Sequence, residues 1–280
     1  MAAALSAGDF AFCGILGEGE FGRVMMGRSK RDGELYAIKV LRKSFLLQQG
    51  GQTVNRAISE KEVLQELASS PHPYIVSLLH CFQDSTHLLL VMDFVGGGDL
   101  HQLLEQVGAF SEAWTQVYSA EVVLALEHLH GQSIIYRDLK PENLMVSMDG
   151  HLKLTDFGFA KHMPDIKEGW CTSRVGTPEY MAPEVIKGEQ YSLPADWWSL
   201  GCLVYEMLCG CCPFNADDEL QLIMTIKHTE VRSATCAPTA PTTARTTPRR
   251  RTIPRRRAMD ARITTRPSPS AAGDPDRGLL

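Results

Sequence analysis

Several short runs in this 280-residue chain set glycines, a lysine and acids at spacings that suit phosphate chemistry. Gly17-Glu-Gly19-Glu-Phe-Gly22-Arg-Val24 fits the pattern G-x-G-x-x-G-x-V. Glycines at this spacing let a backbone come close to phosphate oxygens. A dinucleotide-binding turn also uses such glycines, but it needs a helix N-terminus directly after them. Here the run lies between strand-like segments, which suits a hairpin lid closing over phosphates. Lys39 then sits in the apolar strand Tyr36-Ala37-Ile38-Lys39. A strand lysine is ordinarily a solvated edge charge. After such a lid it can instead meet nucleotide phosphates, held by a carboxylate from the next helix. Further on, Tyr136-Arg137-Asp138-Leu139-Lys140-Pro141-Glu142-Asn143 fits H-R-D-L-x-x-x-N with Tyr in the first place. Asp156-Phe157-Gly158 follows thirteen residues after Asn143, and Ala182-Pro183-Glu184 twenty-six residues after Asp156. Each triplet alone arises by chance; all five in this order do not.

These residues need elements to hold them. Residues 10–45 read as strands, with a turn at Arg31-Asp32-Gly33. Val54, Ile58, Val63, Leu64 and Leu67 recur at helical spacing over 54–68, and Pro71-His-Pro73 closes that helix. Strands are expected over 75–82 and 87–94, then a hinge at Gly96-Gly97-Gly98. Ser111 is placed to cap a long helix reaching His130. Short strands follow over 144–146 and 152–155. The stretch 196–208 is almost wholly apolar, so the expectation is a helix buried on every side.

Composition sets the outer bounds. Hydrophobic residues make up 44% and charged residues 22%, values of a chain that builds a core. The net charge of -5 hides a split. Ten arginines against three aspartates give residues 233–280 about +7, leaving about -12 on residues 1–232. No apolar run approaches the roughly 18 residues of a membrane span. No signal peptide, myristoylation glycine or prenylation cysteine is expected. None of the eight cysteines forms a C-x-x-C pair, and the expectation is small buried residues with reduced thiols.

Taken together, Tyr136-Arg-Asp138, Asp156-Phe-Gly-Phe-Ala-Lys161, Gly176-Thr-Pro-Glu-Tyr-Met-Ala-Pro-Glu184 and Asp196-Trp-Trp-Ser-Leu-Gly201 resemble the eukaryotic protein kinases. Within them the chain looks like the AGC group of Ser/Thr kinases, near the cyclic-nucleotide-dependent kinases. The resemblance implies an α+β, bilobal kinase-like fold over residues 9–232. A small β-rich lobe takes about 9–94 and a larger helical lobe about 99–232, the latter incomplete at its C-terminus.

The resemblance also assigns roles. Lys39 would hold the α/β-phosphates of ATP and Glu60 would pair with it, in preference to Glu62 two residues on. Asn143 and Asp156 would bind Mg²⁺, Asp138 would take the substrate hydroxyl proton, and Lys140 would neutralise the γ-phosphate. Gly17, Gly19 and Gly22 would cover the phosphates. Leu16, Val24, Ala37 and Met145 would enclose adenine, with Met92 as gatekeeper, Asp93 and Val95 in the hinge, and Thr155 beside the nucleotide. Leu64, Leu78, Tyr136 and Phe157 would stack as a spine anchored by Asp196. Ser173 would carry an activating phosphate from an upstream kinase, received by Arg137, Lys161 and Arg56. Thr177 with Lys140 marks Ser/Thr rather than Tyr specificity. Asp99, Glu142 and Glu206 would read arginine upstream of the target, so the expected partners are basic protein substrates, with neither membrane nor nucleic acid. The expected location is cytoplasmic, with the basic tail allowing a nuclear one.

The pattern stops after Arg232. Residues 233–280 hold seven prolines, no aromatics and no apolar period, so a disordered tail is expected. Later large-lobe helices, one of which would supply an arginine for Glu184, are expected to be missing. Three explanations stay open: a misread frame, a genuine short form, or a tail with its own role. In the last case Arg249-Arg250-Arg251-Thr252-Ile253 would mimic a substrate. The rival to an active enzyme is a weak or inactive kinase-derived protein that binds nucleotide or acts as a scaffold.

Overall fold

Alternating apolar residues in the first ninety positions build an antiparallel sheet, and a computed structural model describes it within residues 5–19, 22–163, 170–216 and 218–228. The strands are β1 (Phe10–Gly19), β2 (Gly22–Ser29), β3 (Leu35–Arg42), β4 (Leu78–Gln83) and β5 (His87–Asp93), in the spatial order β1-β2-β3-β5-β4. The register sets Val24 opposite Lys39, and Ala37 opposite both Met26 and Met92. Two helices interrupt the sheet in sequence, α1 (Lys43–Gln48) and α2 (Gly51–Ser69). The strand expected from residue 75 begins at Leu78 instead. Ile75 makes a parallel bridge to Leu154, so this segment joins a second layer before it enters the sheet.

Helix α2 differs from its sequence pattern in which face is buried. Thr53, Ala57, Glu60, Val63, Leu64 and Leu67 face inward, while Ile58 is 46% exposed. The inward stripe recurs every three to four residues and includes a carboxylate, which a hydrophobicity pattern scores as an outward position.

The second part is mostly helical: α3 (Leu100–Val107), α4 (Glu112–Gly131), α5 (Pro183–Lys187), α6 (Pro194–Cys209) and α7 (Glu219–His228). Ser111 caps α4 as expected, accepting from Trp114 N at 3.4 Å. The short strands β7 (Leu144–Val146) and β8 (Leu152–Leu154) pair with each other, and β6 (Ile134–Ile135) pairs with β9 (Lys161–His162). The largest buried cluster runs from Leu64 and Leu78 through Leu126, Tyr136 and Phe157 to Leu203, linking sheet and helices.

Helix α6 is not buried on every side. Its inner face carries Asp196, Ser199, Cys202, Leu203, Glu206 and Met207, whereas Trp197, Gly201 and Leu208 are exposed among the described residues. Apolar composition alone hid a helix with two carboxylates on its buried side. The chain divides into two units, Met1–Cys236 and Ala237–Leu280, and every described residue lies in the first. The expectations for 233–280 therefore lie outside the described residues. Among the described residues no ion pair reaches Glu184.

Candidate active site

Lys39 on β3 and Glu60 on α2 meet at 2.5 Å, with the two side chains 16% and 3% exposed. Glu62 stays exposed, so the helix presents the first acid and turns the second away. Lys39 Nζ also donates to Asp156 Oδ1 at 3.2 Å. Burial works against the ammonium, but the two carboxylates outweigh it and raise the Lys39 pKa. Burial works against the Asp156 carboxylate too, and Lys39 with the Gly158 N–H holds its pKa below the ordinary value. A fixed positive charge therefore lies between two carboxylates, one of them 117 positions further along the chain than the lysine.

Asp138 is the centre of a second cluster. Its Oδ1 accepts from Thr177 Oγ1 at 2.8 Å, and its Oδ2 accepts from Asn143 Nδ2 at 2.9 Å and faces Lys140 Nζ at 3.1 Å. Asn143 also donates to the Asp138 carbonyl, so its amide oxygen is the end that accepts. The loop is fixed from below by Asp196 on α6, which accepts from Tyr136 N at 2.9 Å, Arg137 N at 2.8 Å and His130 Nε2 at 2.8 Å. Arg137 has φ 72° and Asp156 φ 52°, conformations that cost a non-glycine residue energy. The two backbone bonds to Asp196 offset that cost at Arg137. Gly176 brings the Thr177 segment against this loop: at φ 111°, a Cβ there would lie 2.5 Å from the Arg137 carbonyl.

The apolar residues expected around the nucleotide are part-buried, with one exception. Val24, Ala37 and Met92 come from the sheet, and Met145 from β7; Leu16 is exposed. The connecting segment is tied down by Gly97 N to Val146 O and Val146 N to Gly98 O, both at 2.8 Å, and Lys153 Nζ holds Asp93 Oδ2 at 3.0 Å. Val95 is part-buried in that segment. Thr155 bonds back to the Asn143 carbonyl through its N at 2.9 Å and Oγ1 at 3.1 Å. The three lid glycines differ in kind. A Cβ at Gly22 would strike Val40 O at 2.1 Å, so packing alone requires glycine there. A Cβ at Gly17 meets nothing within 4 Å, and one at Gly19 only Gly22 O at 4.0 Å. Protein packing therefore does not require glycine at those two positions.

The protein kinase domain family matches residues 10–268. The cAMP-dependent protein kinase catalytic subunit of Arthrobotrys oligospora is 47% identical over 206 residues, 74% of this chain and 38% of that protein. The cAMP-dependent protein kinase type 3 of Saccharomyces cerevisiae is 41% identical over 227 residues, 81% of this chain and 55% of that protein. The Serine/threonine-protein kinase akt-2 of Caenorhabditis elegans is 42% identical over 225 residues, 80% of this chain and 41% of that protein. The chain belongs to the protein kinase domain family. Its relatives place it in the AGC group of Ser/Thr kinases, and it spans between about a third and just over half of their lengths.

The kinase spine expected from sequence is assembled. Leu64, Leu78, Tyr136 and Phe157 share one buried cluster, the Tyr136 and Phe157 rings stand 5.5 Å apart edge to face, and Asp196 holds the Tyr136 backbone. The kinase residues around Ser173 come together only in part. Arg137 Nη1 donates to Ser173 Oγ at 3.0 Å and Arg137 Nε to the Phe159 carbonyl at 2.7 Å. The Arg56 guanidinium lies 5.0 Å from the Phe159 ring centre, so both arginines gather at one residue. Lys161 is exposed on β9, and no hydrogen bond joins its side chain to Ser173 among the described residues. Sequence reasoning missed Tyr191, whose hydroxyl donates to the Ser173 carbonyl at 2.6 Å and lies 3.3 Å from Arg137 Nη1. A lone tyrosine in a polar loop carries no sequence signal for such a role.

The three acids expected to read arginine sit in different settings. Asp99 caps α3, taking Gln102 N at 2.8 Å on one oxygen and the Gln102 amide on the other. Glu142 is exposed. Glu206 is buried on α6 and accepts from the Tyr180 hydroxyl. The seven cysteines among the described residues are free thiols, but Cys13 and Cys211 are exposed rather than buried, because one lies in β1 and the other in the turn after α6.

Proposed function

We propose that this chain transfers the γ-phosphate of ATP to Ser or Thr hydroxyls of proteins. The observation that carries the reading is the Asp138 carboxylate, bound at once by Thr177, Lys140 and Asn143, beside Asp156 held by Lys39. In phosphoryl transfer the protein mainly positions groups and neutralises charge. Asp138 is placed to orient an incoming hydroxyl and accept its proton as oxygen bonds to phosphorus and ADP leaves. Lys140 supplies positive charge next to that carboxylate, and Lys39 a second one beside Asp156. An amide oxygen at Asn143 and a carboxylate at Asp156 are the hard donors that Mg²⁺ prefers, so these two residues fit that ion. Bound there, Mg²⁺ would neutralise phosphate charge. Open space at Gly17 and Gly19 supports their covering the phosphates.

Two finer readings belong to the same proposal. The first is regulation by a phosphate on Ser173, supported by Arg137 at 3.0 Å and by Arg56 close behind it. The second is a preference for arginine upstream of the acceptor, supported by the acids Glu142 and Glu206. The test is transfer of labelled phosphate from ATP to a basic peptide by the purified chain, with Asp156→Ala as control. Transfer by the wild type and none by the control supports the reading. Equal incorporation by both, or none by either with ATP and Mg²⁺ saturating, overturns it.

A further inference from the structure

Tyr180, Glu206 and Cys212 form a chain of side-chain hydrogen bonds. Glu206 lies in the last turn of α6, Cys212 three residues past its end, and Tyr180 three residues after Thr177. Cys212 Sγ donates to Tyr180 Oη at 3.3 Å, and Tyr180 Oη donates to Glu206 Oε2. A phenol has one proton and can point it either way. With a thiol proton on its acceptor side, the Tyr180 hydroxyl is committed to Glu206, and each bond polarises the next. The Tyr180 backbone is held independently, its N–H on Thr177 O at 3.0 Å and its carbonyl on Ser199 Oγ at 2.7 Å. What is left for Cys212 to act on is the hydroxyl direction and, through its own hydrogen bond, the Glu206 carboxylate beside it.

We infer that Cys212 is a positioning residue for substrate selection: its thiol fixes the Tyr180 hydroxyl, which aims the Glu206 carboxylate at an incoming basic side chain. The inference rests on the proposed reading of Glu206 as an acceptor of arginine. The surroundings agree with it. Burial pushes the Cys212 thiol up to about 11, so the proton that makes the bond stays on sulfur at neutral pH. Burial also pushes the Glu206 carboxyl up; the Tyr180 bond pulls it back, the charge of Glu142 adds to the rise, and His101 opposes it. Glu179 acts on Cys212 in the same patch. An arginine entering here meets acids that repel one another without it, and the direction of Glu206 decides how well it is met. The site already described does not use Cys212, and the sequence marks it only as one of three cysteines clustered within residues 209–212.

The experiment compares wild type, Cys212→Ala, Cys212→Val, Cys212→Ser and Glu206→Gln on two peptides, one with two arginines upstream of the acceptor serine and one with alanines there. Loss of the thiol donor in Cys212→Ala is expected to cut the arginine preference about three- to tenfold through KM, the size of one hydrogen bond, with kcat kept within about twofold. Cys212→Val fills the space without a donor and is expected to behave the same, which covers a cavity effect in the alanine variant. Cys212→Ser restores a donor and is expected to restore the preference. Calorimetric titration of the same peptides reads the comparison without turnover. If Glu206→Gln loses the preference while Cys212→Ala and Cys212→Val keep it, the role of Cys212 is overturned and the reading of Glu206 stands. If Glu206→Gln keeps the preference, the reading of Glu206 falls, and the role of Cys212 with it.

Discussion

Thr177 Oγ1 donates to Asp138 Oδ1 at 2.8 Å and accepts from Lys140 Nζ at 2.8 Å. One hydroxyl thus spans the acid and the cation that face the reacting groups in the proposed function. It also ties the segment bearing Tyr180 to the loop bearing Asp138. Thr177→Val keeps the shape and removes both bonds. It is expected to lower kcat about tenfold or more, the worth of a hydrogen bond to a charged group, with little change in melting temperature. Steady-state kinetics beside a melting curve checks this; an unchanged kcat would show that the bridge is passive.

The Lys39–Glu60 pair is tested through stability. Lys39→Met leaves the Glu60 carboxylate, 3% exposed, with no ammonium at 2.5 Å. Breaking a buried pair from one side costs about 3–5 kcal/mol, whereas replacing both partners by apolar groups costs much less. Urea denaturation of Lys39→Met, Glu60→Leu and the double variant is expected to give a double variant more stable than Lys39→Met alone. Strict additivity would remove the coupling.

Ser173 lies under Arg137, so a phosphate there would bring about -1.5 to -2 charges to a guanidinium already in place. Ser173→Ala is expected to lower activity about tenfold or more, an effect of two charge-assisted bonds. Thr172 precedes it, and the comparison therefore includes the pair Thr172→Ala with Ser173→Ala. Phosphopeptide mass spectrometry with kinetics reads both, and full activity in the double variant would sink the regulatory role.

His151 gives a pH dependence with a definite sign. Its Nδ1 lies 2.6 Å from Glu121 Oε1, and the other Glu121 oxygen takes Leu152 N at 2.8 Å. The hydrogen bond to Glu121 raises the His151 pKa, and the charges of Glu121 and Asp149 add to the rise. A raised folded value means that this ring's contribution to stability is complete below its unfolded value of about 6.5 and is lost as pH rises through the folded one. The stability gap between wild type and His151→Gln is expected to shrink from about pH 5.5 to about pH 8.5 in urea titrations. A gap that grows over that range contradicts the assignment.

Much of the site was legible because its chemistry is written in fixed local spacings. Lys39 in a strand, Asn143 five residues after Asp138, and Asp156 two residues before a glycine need no tertiary knowledge to be noticed. Glu60 was separable from Glu62 because Ser59-Glu60-Lys61 resembles the family's helix motif, and an acid two residues on points about 200° away. What stayed hidden depends on contacts between segments. The inward face of α2 was misjudged at Ile58 because the buried carboxylate is satisfied by a lysine from another element. The two buried acids of α6 were masked by their apolar neighbours. Asp99 reads equally well as a recognition acid and as the helix cap it forms. Tyr191 and Cys212 acquire meaning only from what the fold places beside them.

Helix α6 carries a further consequence. Asp196 and Glu206 lie ten residues apart on its buried side, about 15 Å along the axis and about 80° around it. The first grips the backbone just before Asp138, and the second meets the segment that follows Thr177. The helix is thus a length standard between the place where phosphate would be transferred and the place where sequence context would be read. Inserting one residue between these acids would leave both grips chemically intact but turn one against the other by about 100°. On the proposed reading, selectivity would be a matter of register as well as charge.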